Sequence, residues 1–374
     1  MLRWQRTIDR ALDRHLTRPL EKLDAEVLTV LRVGLFEARW LDVPAPVATD
    51  AMVRLVRRLG KGSAAGMVNA VLRRAVAEGP PQSTAPDVEW SHPEWIWRRW
   101  DRAFGRSAAT GAMAAAQSPG PPWVWFPEET DRDELVASGV DLEAHPWCPD
   151  AWTSAAQPSR LMELVAAGRA VVQDPSSQLV ARLAVAVAGG SGRALDLCAA
   201  PGGKTALMRR LGRWRPLVAA EVDPLKAARL SDRLTRIPVV VADAIHPALA
   251  VGRWDVVLLD APCSGTGTFR RHPELKWRLS PDTIHRAVDR QRPMIGAALE
   301  LLAPAGVLVY ATCSVEPEEN EAHFEPTPNG FEQSALEDLL PTGVPWLPTT
   351  AGGVRILPHG WGDGFTVHAF RRPK

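Results

Sequence analysis

Residues 193–205 read "RALDLCAAPGGKT". A short apolar run passes into a turn of small residues, and a helical pattern begins at its end. Four later segments repeat the form: "PLVAAEVD" (216–223), "PVVVADA" (238–244), "DVVLLDAPC" (255–263) and "GVLVYATCS" (306–314). Each is short, apolar and rich in β-branched residues, and amphipathic stretches separate them. Continuous apolar strands alternating with helices predict an α/β fold, a doubly wound and mostly parallel sheet covered on both faces.

The turn after the first strand carries the first chemistry. A glycine-rich strand-to-helix turn lets backbone N–H groups approach a ligand at the positive end of a helix dipole. Gly203-Lys204-Thr205 raises the phosphate-loop alternative, but that motif needs a glycine where this chain has Cys198. Glu221 closes the second run and suits the ribose hydroxyls of an adenosine, with Asp223 as the other candidate. Asp243 closes the third, where it can meet an adenine amino group. Polar groups at three consecutive strand ends point to a nucleoside-bearing ligand; the competing reading is that these acids only cap helices.

The fourth and fifth runs end in cysteines: Asp260, Pro262 and Cys263, then Thr312, Cys313 and Ser314. Ligands of doubly wound sheets bind beyond the strand C-termini, so both thiols are expected to face the same crevice as the loop. A lone buried cysteine is usually core; two at neighbouring strand ends, one near an aspartate, suggest covalent chemistry. The residues alone leave either cysteine as nucleophile. The chain has 4 cysteines, widely spaced and without a Cys-x-x-Cys pair, which fits neither a zinc site nor a disulfide framework. They are expected to be reduced thiols.

Its 374 residues suffice for two or three domains, with 46% hydrophobic and 23% charged residues, as in ordinary globular proteins. The uncharged run 301–315 is broken by Pro304 and Gly306 and is too short to span a bilayer. The first residues are charged and periodic, unlike a signal peptide, so the expectation is a cytoplasmic, membrane-free, metal-free monomer. Residues 1–78 have helical periodicity. They carry an excess of basic residues, with Arg57, Arg58, Arg73 and Arg74 as candidate RNA contacts. Residues 79–92 are rich in Pro and Ser and read as a linker. Residues 93–168 form a connecting region of small α/β character, and 169–374 the sheet domain.

Together, "DLCAAPGGKT", "DAPCSGTGTFRRHPELKW" and "YATCSVEPEEN" resemble the RNA cytosine-C5 methyltransferases that use S-adenosylmethionine, most closely the RsmB (Sun/Fmu) type. "LTRPLEKLDAEVLTVLRVGLFEARWL" and "GKGSAAGMVNAVLRRA" are similar to the NusB-like RNA-binding domain of those enzymes. The resemblance implies a class I, Rossmann-like methyltransferase domain acting on small-subunit (16S) ribosomal RNA. Transfer RNA as substrate, or a non-catalytic assembly factor, are the alternatives. It implies that Cys198, Ala199, Ala200, Pro201, Gly202, Gly203 and Lys204 wrap S-adenosylmethionine, Glu221 holds its ribose, Asp243 faces its adenine, and Asp260 borders both donor and base. It makes Cys313 the nucleophile and Cys263 an aid to product release, although DNA enzymes of this chemistry attack with a Pro-Cys cysteine. Arg271, His272 and Lys276 become RNA- or site-facing, and Lys204 and Lys276 the cations expected near Cys313.

Three departures stand out. The NusB-like segment has no counterpart for that domain's first helices before Arg10. "WVWFPEE" (123–129) replaces an Arg-Val-Asn segment. "PTPNG" (326–330) cuts short the helix expected after "PEENEAHFE".

Overall fold

The structure, a computed structural model, describes residues 1–79 and 85–374. These fall into two compact units, Met1–Gln117 and Ser118–Lys374. Among the described residues no helix is long and apolar enough to cross a membrane.

The first unit is helical. Helices Gln5–Asp13, Ala25–Trp40, Ala45–Arg58 and Ala65–Glu78 bury Ile8, Leu12, Leu31, Leu35, Val56, Val68 and Leu72 in one core. Asp24 caps the second helix by accepting the Glu26 N–H at 3.0 Å. Arg57, Arg58, Arg73 and Arg74 are exposed. Residues 80–84 of the expected linker lie outside the described residues. The rest of it is not a free tether: Pro86–Glu89 is a helical turn, with Thr7 Oγ1 donating to the Val88 carbonyl at 2.6 Å and Arg6 paired with Asp87. Helices Glu94–Phe104 and Arg106–Ala115 also belong to this unit. The division at 117/118 therefore runs through the region read as connecting.

In the second unit, β1 (Val124–Trp125), β2 (Glu143–Ala144), β3 (Trp152–Thr153) and β4 (Val171–Val172) make a small antiparallel sheet in the order β2-β3-β1-β4. The large sheet contains β5 (Ser191–Asp196), β6 (Arg213–Glu221), β7 (Val239–Val241), β8 (Trp254–Asp260), β9 (Leu302–Thr312), β10 (Glu332–Gln333), β11 (Leu347–Pro348), β12 (Val354–Ile356) and β13 (Phe365–Arg371). Its order is β11-β12-β13-β9-β8-β5-β6-β7, with β10 beside β13. The run β9-β8-β5-β6-β7 is parallel, whereas β13 and its further neighbours are antiparallel. The sheet is thus mixed, and its parallel half is the one that carries the motifs.

Alternation explains why the strand sequences are apolar throughout. Val256, Leu258, Val307 and Val309 face one core with Leu183, Leu207 and Met208. Val257, Leu259, Leu308 and Tyr310 face the other, with Met294, Ile295 and Ala298 of the helix Pro281–Leu301. Strand order reverses at β5, whose neighbours are β6 and β8. A crevice opens at such a point beyond the strand C-termini. Within "PEENEAHFE" the chain forms only the short turns Pro317–Glu319 and Glu321–His323, and no α-helix follows before β10.

Candidate active site

Two cavities meet at the C-terminal ends of β5, β8 and β9. One, of about 410 Å³, is lined by Cys198, Ala200, Glu221, Lys226, Asp243 and Met294. The other, of about 440 Å³, is lined by the loop Cys198–Pro201 with Gly203 and Lys204, together with Gln173, Asp174, Arg271, His272 and Phe365. Asp260, Cys263 and Cys313 line both.

Local rules shape the loop. Gly202 has φ 103° and precedes the helix Gly203–Leu211; a side chain there would also strike Leu230 Cδ1 at 2.6 Å. Thr205, inside that helix, donates to Asp196 Oδ2 at 2.6 Å. Glu221 is buried and accepts the Asp223 N–H at 3.0 Å, while Asp223 caps the next helix. Asp243 is exposed at its rim and accepts the Ile245 N–H at 2.9 Å. Two of the acids thus bond backbone locally and still present carboxylates to the smaller cavity. A buried carboxylate at the end of β6, a glycine cradle and an apolar floor that includes Met294 fit a nucleoside with an amino-acid tail.

The charge centre of the site is a pair. Lys204 Nζ lies 2.5 Å from Asp260 Oδ2. Burial alone would lower the Lys204 ammonium, but the Asp260 carboxylate outweighs it and holds the ammonium above its ordinary value. The ammonium also sits 5.0 Å from the Phe365 ring centroid. Burial raises the Asp196 carboxyl to about 6.

The sulfurs of Cys263 and Cys313 are 3.3 Å apart. The Cys313 sulfur beside it, then burial, pushes the Cys263 thiol well up, so Cys263 stays protonated at neutral pH. Burial, with Asp196 next among the surrounding acids, pushes Cys198 up as well, which leaves it an inert wall of the cavities. Lys204 and Arg271 are both in electrostatic reach of Cys313.

Here one expectation is corrected. Lys276 is fully buried with its ammonium 5.7 Å from the Trp277 ring, and it lines neither cavity. It is not surface-facing toward RNA. Arg271 of the same motif lies at the rim of the larger cavity: its side chain is 45% exposed and Asp363 holds its Nε at 2.5 Å. His272 is 51% exposed at the same rim.

Several site residues carried no local signal. Gln173 lines the larger cavity and accepts the Trp125 indole N–H at 2.8 Å, so the "WVWF" departure supplies a buried support for the cavity wall. Asp174 and Asp363 flank the buried Arg270, at 3.1 and 3.5 Å. Glu319, from the acid-rich loop, is fully buried and bonds to both cysteine loops.

Residues 188–371 match the family described as 16S rRNA methyltransferase RsmB/F, and residues 1–77 match the NusB family. A protein of Xanthomonas campestris pv. campestris named ribosomal RNA small subunit methyltransferase B is 36% identical over 96% of this chain and 83% of its own length. The protein of the same name from Cronobacter sakazakii is 30% identical over 98% of this chain and 86% of its own. Among solved structures, a methyltransferase homolog protein from Pyrococcus horikoshii is 25% identical with a TM-score of 0.64, over 78% of this chain and 100% of that one.

Proposed function

Because the chain belongs to the RsmB/F family of ribosomal RNA methyltransferases, which use S-adenosylmethionine, we propose that it methylates carbon 5 of a cytosine in small-subunit ribosomal RNA, with Cys313 as the nucleophile. The observation that carries this reading is that Cys313 stands with Cys263 and Asp260 where both cavities join, the one with Glu221 and Asp243 and the one with Arg271 and His272, while Cys263 is held as a thiol and so leaves attack to Cys313. A residue that must reach the target base beside the methyl donor has to stand where the two spaces join.

Carbon 5 of cytosine is a weak nucleophile, so the protein must first activate the ring. The Cys313 thiolate adds to carbon 6, and electron density moves through the ring toward carbon 5. Asp260, ionised against the Lys204 ammonium, meets N3, and the proton that N3 takes as the ring accepts the charge passes from that ammonium by way of Asp260. The donor, a substrate consumed in each turnover, provides an electrophilic methyl group that carbon 5 takes. Solvent water takes the carbon-5 proton, N3 returns its proton to the Lys204–Asp260 pair, and elimination of the Cys313 thiolate restores the ring. Cys263, protonated and 3.3 Å away, assists that release. Glu221, Asp243 and the loop Cys198–Lys204 hold the donor, and the target base must leave its stack to enter the larger cavity. Arg57, Arg58, Arg73 and Arg74 offer exposed charge for phosphates.

The test is transfer from labelled S-adenosylmethionine to unmodified 16S ribosomal RNA and, separately, to unmodified transfer RNA, with product nucleosides resolved. Label in 5-methylcytidine from the ribosomal RNA is expected. Label only from transfer RNA would refute the substrate, and label in any other nucleoside would refute the chemistry.

A further inference from the structure

We propose that Glu319 is a positioning residue that sets the separation of the two cysteines and thereby controls release of the covalent RNA adduct; this rests on the covalent reading above. Glu319 is 0% exposed, yet it belongs to a sequence, "PEEN", that looks like a solvated loop. Its Oε2 accepts the Ser264 backbone N–H at 2.8 Å and Gln291 Nε2 at 3.1 Å. Its Oε1 accepts the Ser314 hydroxyl at 2.6 Å and also the Ser264 hydroxyl. Ser264 follows Cys263 and Ser314 follows Cys313. One carboxylate therefore spans the residues next to each thiol.

The rest of the network fixes the carboxylate itself. Gln291 Nε2 also donates to the Pro262 carbonyl at 3.0 Å, on the other side of Cys263. Tyr310 donates to the Glu319 carbonyl at 2.7 Å. Four donors converge on one buried acceptor group, an arrangement in which losing the acceptor leaves several polar groups unpaired at once. Ser264 borders the larger cavity, whereas Glu319 itself lines neither. Its effect on chemistry must pass through the cysteine loops, and displacement of a reacting group by about 1 Å can cost on the order of a hundredfold in rate.

The experiment compares Glu319→Gln, Ser264→Ala and Cys263→Ala with the wild type. It reads methyl transfer, KM for S-adenosylmethionine, and the fraction of RNA that migrates as a denaturant-stable protein adduct. Glutamine keeps the shape, but one of its two faces now donates, so the bridge is weakened without a cavity. Glu319→Gln is expected to lower turnover by about tenfold or more and to raise the trapped fraction toward that of Cys263→Ala, with KM for the donor unchanged. Ser264→Ala should show a smaller change of the same kind, and it carries the test if Glu319→Gln does not fold. Trapping by Cys263→Ala but by neither of the others would overturn the role of Glu319 alone. Absence of any adduct, Cys263→Ala included, would overturn the covalent reading and this inference with it. A rise in KM for the donor in step with lost turnover would mark Glu319 as a support of the donor cavity, and would also overturn the proposal.

Discussion

Cys263 Sγ and Cys313 Sγ lie 3.3 Å apart, at the ends of β8 and β9, which run parallel and pair Asp260 with Ala311. Fifty residues of chain separate two sulfurs that the sheet brings into contact. In so close a pair both thiols cannot readily ionise together, because the second charge would form beside the first in a desolvated site. The contact therefore keeps Cys263 as a thiol, the state in which the proposed mechanism has it assist release.

Alkylation can test that division of labour. Cys263 is held well above the ordinary thiol value, so its modification by iodoacetamide should stay slow through neutral pH and rise only in strong base. In Cys313→Ala the largest cause of that shift is gone, so Cys263 should react faster at any given pH. Peptide mass spectrometry across a pH series gives both rates. A Cys263 that titrates like a free thiol in the wild type would refute the coupling.

The two substitutions should also differ in kinetics. Cys313→Ala is expected to abolish methyl transfer and adduct formation while donor binding persists. Cys263→Ala should leave slow turnover and a trapped RNA adduct. Reversed phenotypes would make Cys263 the nucleophile.

Lys204→Met removes the cation 2.5 Å from Asp260 and leaves that carboxylate in the cavity without its partner. Turnover should fall by roughly 10²–10³, as when a preorganised electrostatic group is lost from a site. Measured donor affinity should change far less than turnover; equal losses in both would place Lys204 in binding alone.

Asp196 makes stability depend on pH. Its folded value, about 6, lies above the unfolded one, so its contribution is present below about pH 4 and is lost as pH rises through about 6. Asp196→Asn keeps an acceptor for Thr205 and removes the buried charge. It should stabilise the protein by on the order of 2 kcal/mol near pH 8, and the difference should vanish near pH 4. Thermal unfolding at the two pH values decides it, and a difference that ignores pH would contradict the assignment.

Gly267→Ala tests how closely the two cysteine loops pack. A Cβ at Gly267 would stand 2.3 Å from the Gly364 carbonyl oxygen and 2.8 Å from that of Cys313. Both obstacles are backbone, so no rotamer change relieves them. Overpacking of this kind costs about 1–3 kcal/mol, and the strain falls on the segment that holds Cys313. Activity should drop by more than tenfold while the protein still folds, as judged by circular dichroism beside a methyl-transfer assay.

The parallel strands and the Gly-rich turn were legible because their signals are local. Apolar runs ending in small or acidic residues announce a strand, its C-terminal end and the helix beyond it. Charges behaved otherwise. Lys276 and Glu319 look like surface residues in "RRHPELKW" and "PEEN", yet both are fully buried, whereas Arg271 in the same motif is exposed at the cavity rim. Asp174 and Asp363 stand 189 residues apart in the chain and meet around Arg270. A buried polar side chain is tolerated only where remote segments provide partners, and no window of sequence contains those segments.

By itself, then, the sequence determined which residues stand at the ends of the strands and what chemistry they can perform, since strand periodicity and turn composition are short-range properties. It also placed both thiols at neighbouring strand ends; the tertiary structure alone decided that they touch, and which ionisable side chains face the cavities or are sealed behind them. Strand adjacency and burial come from packing between distant segments, and the contact between Cys263 and Cys313 exists only once that packing is complete.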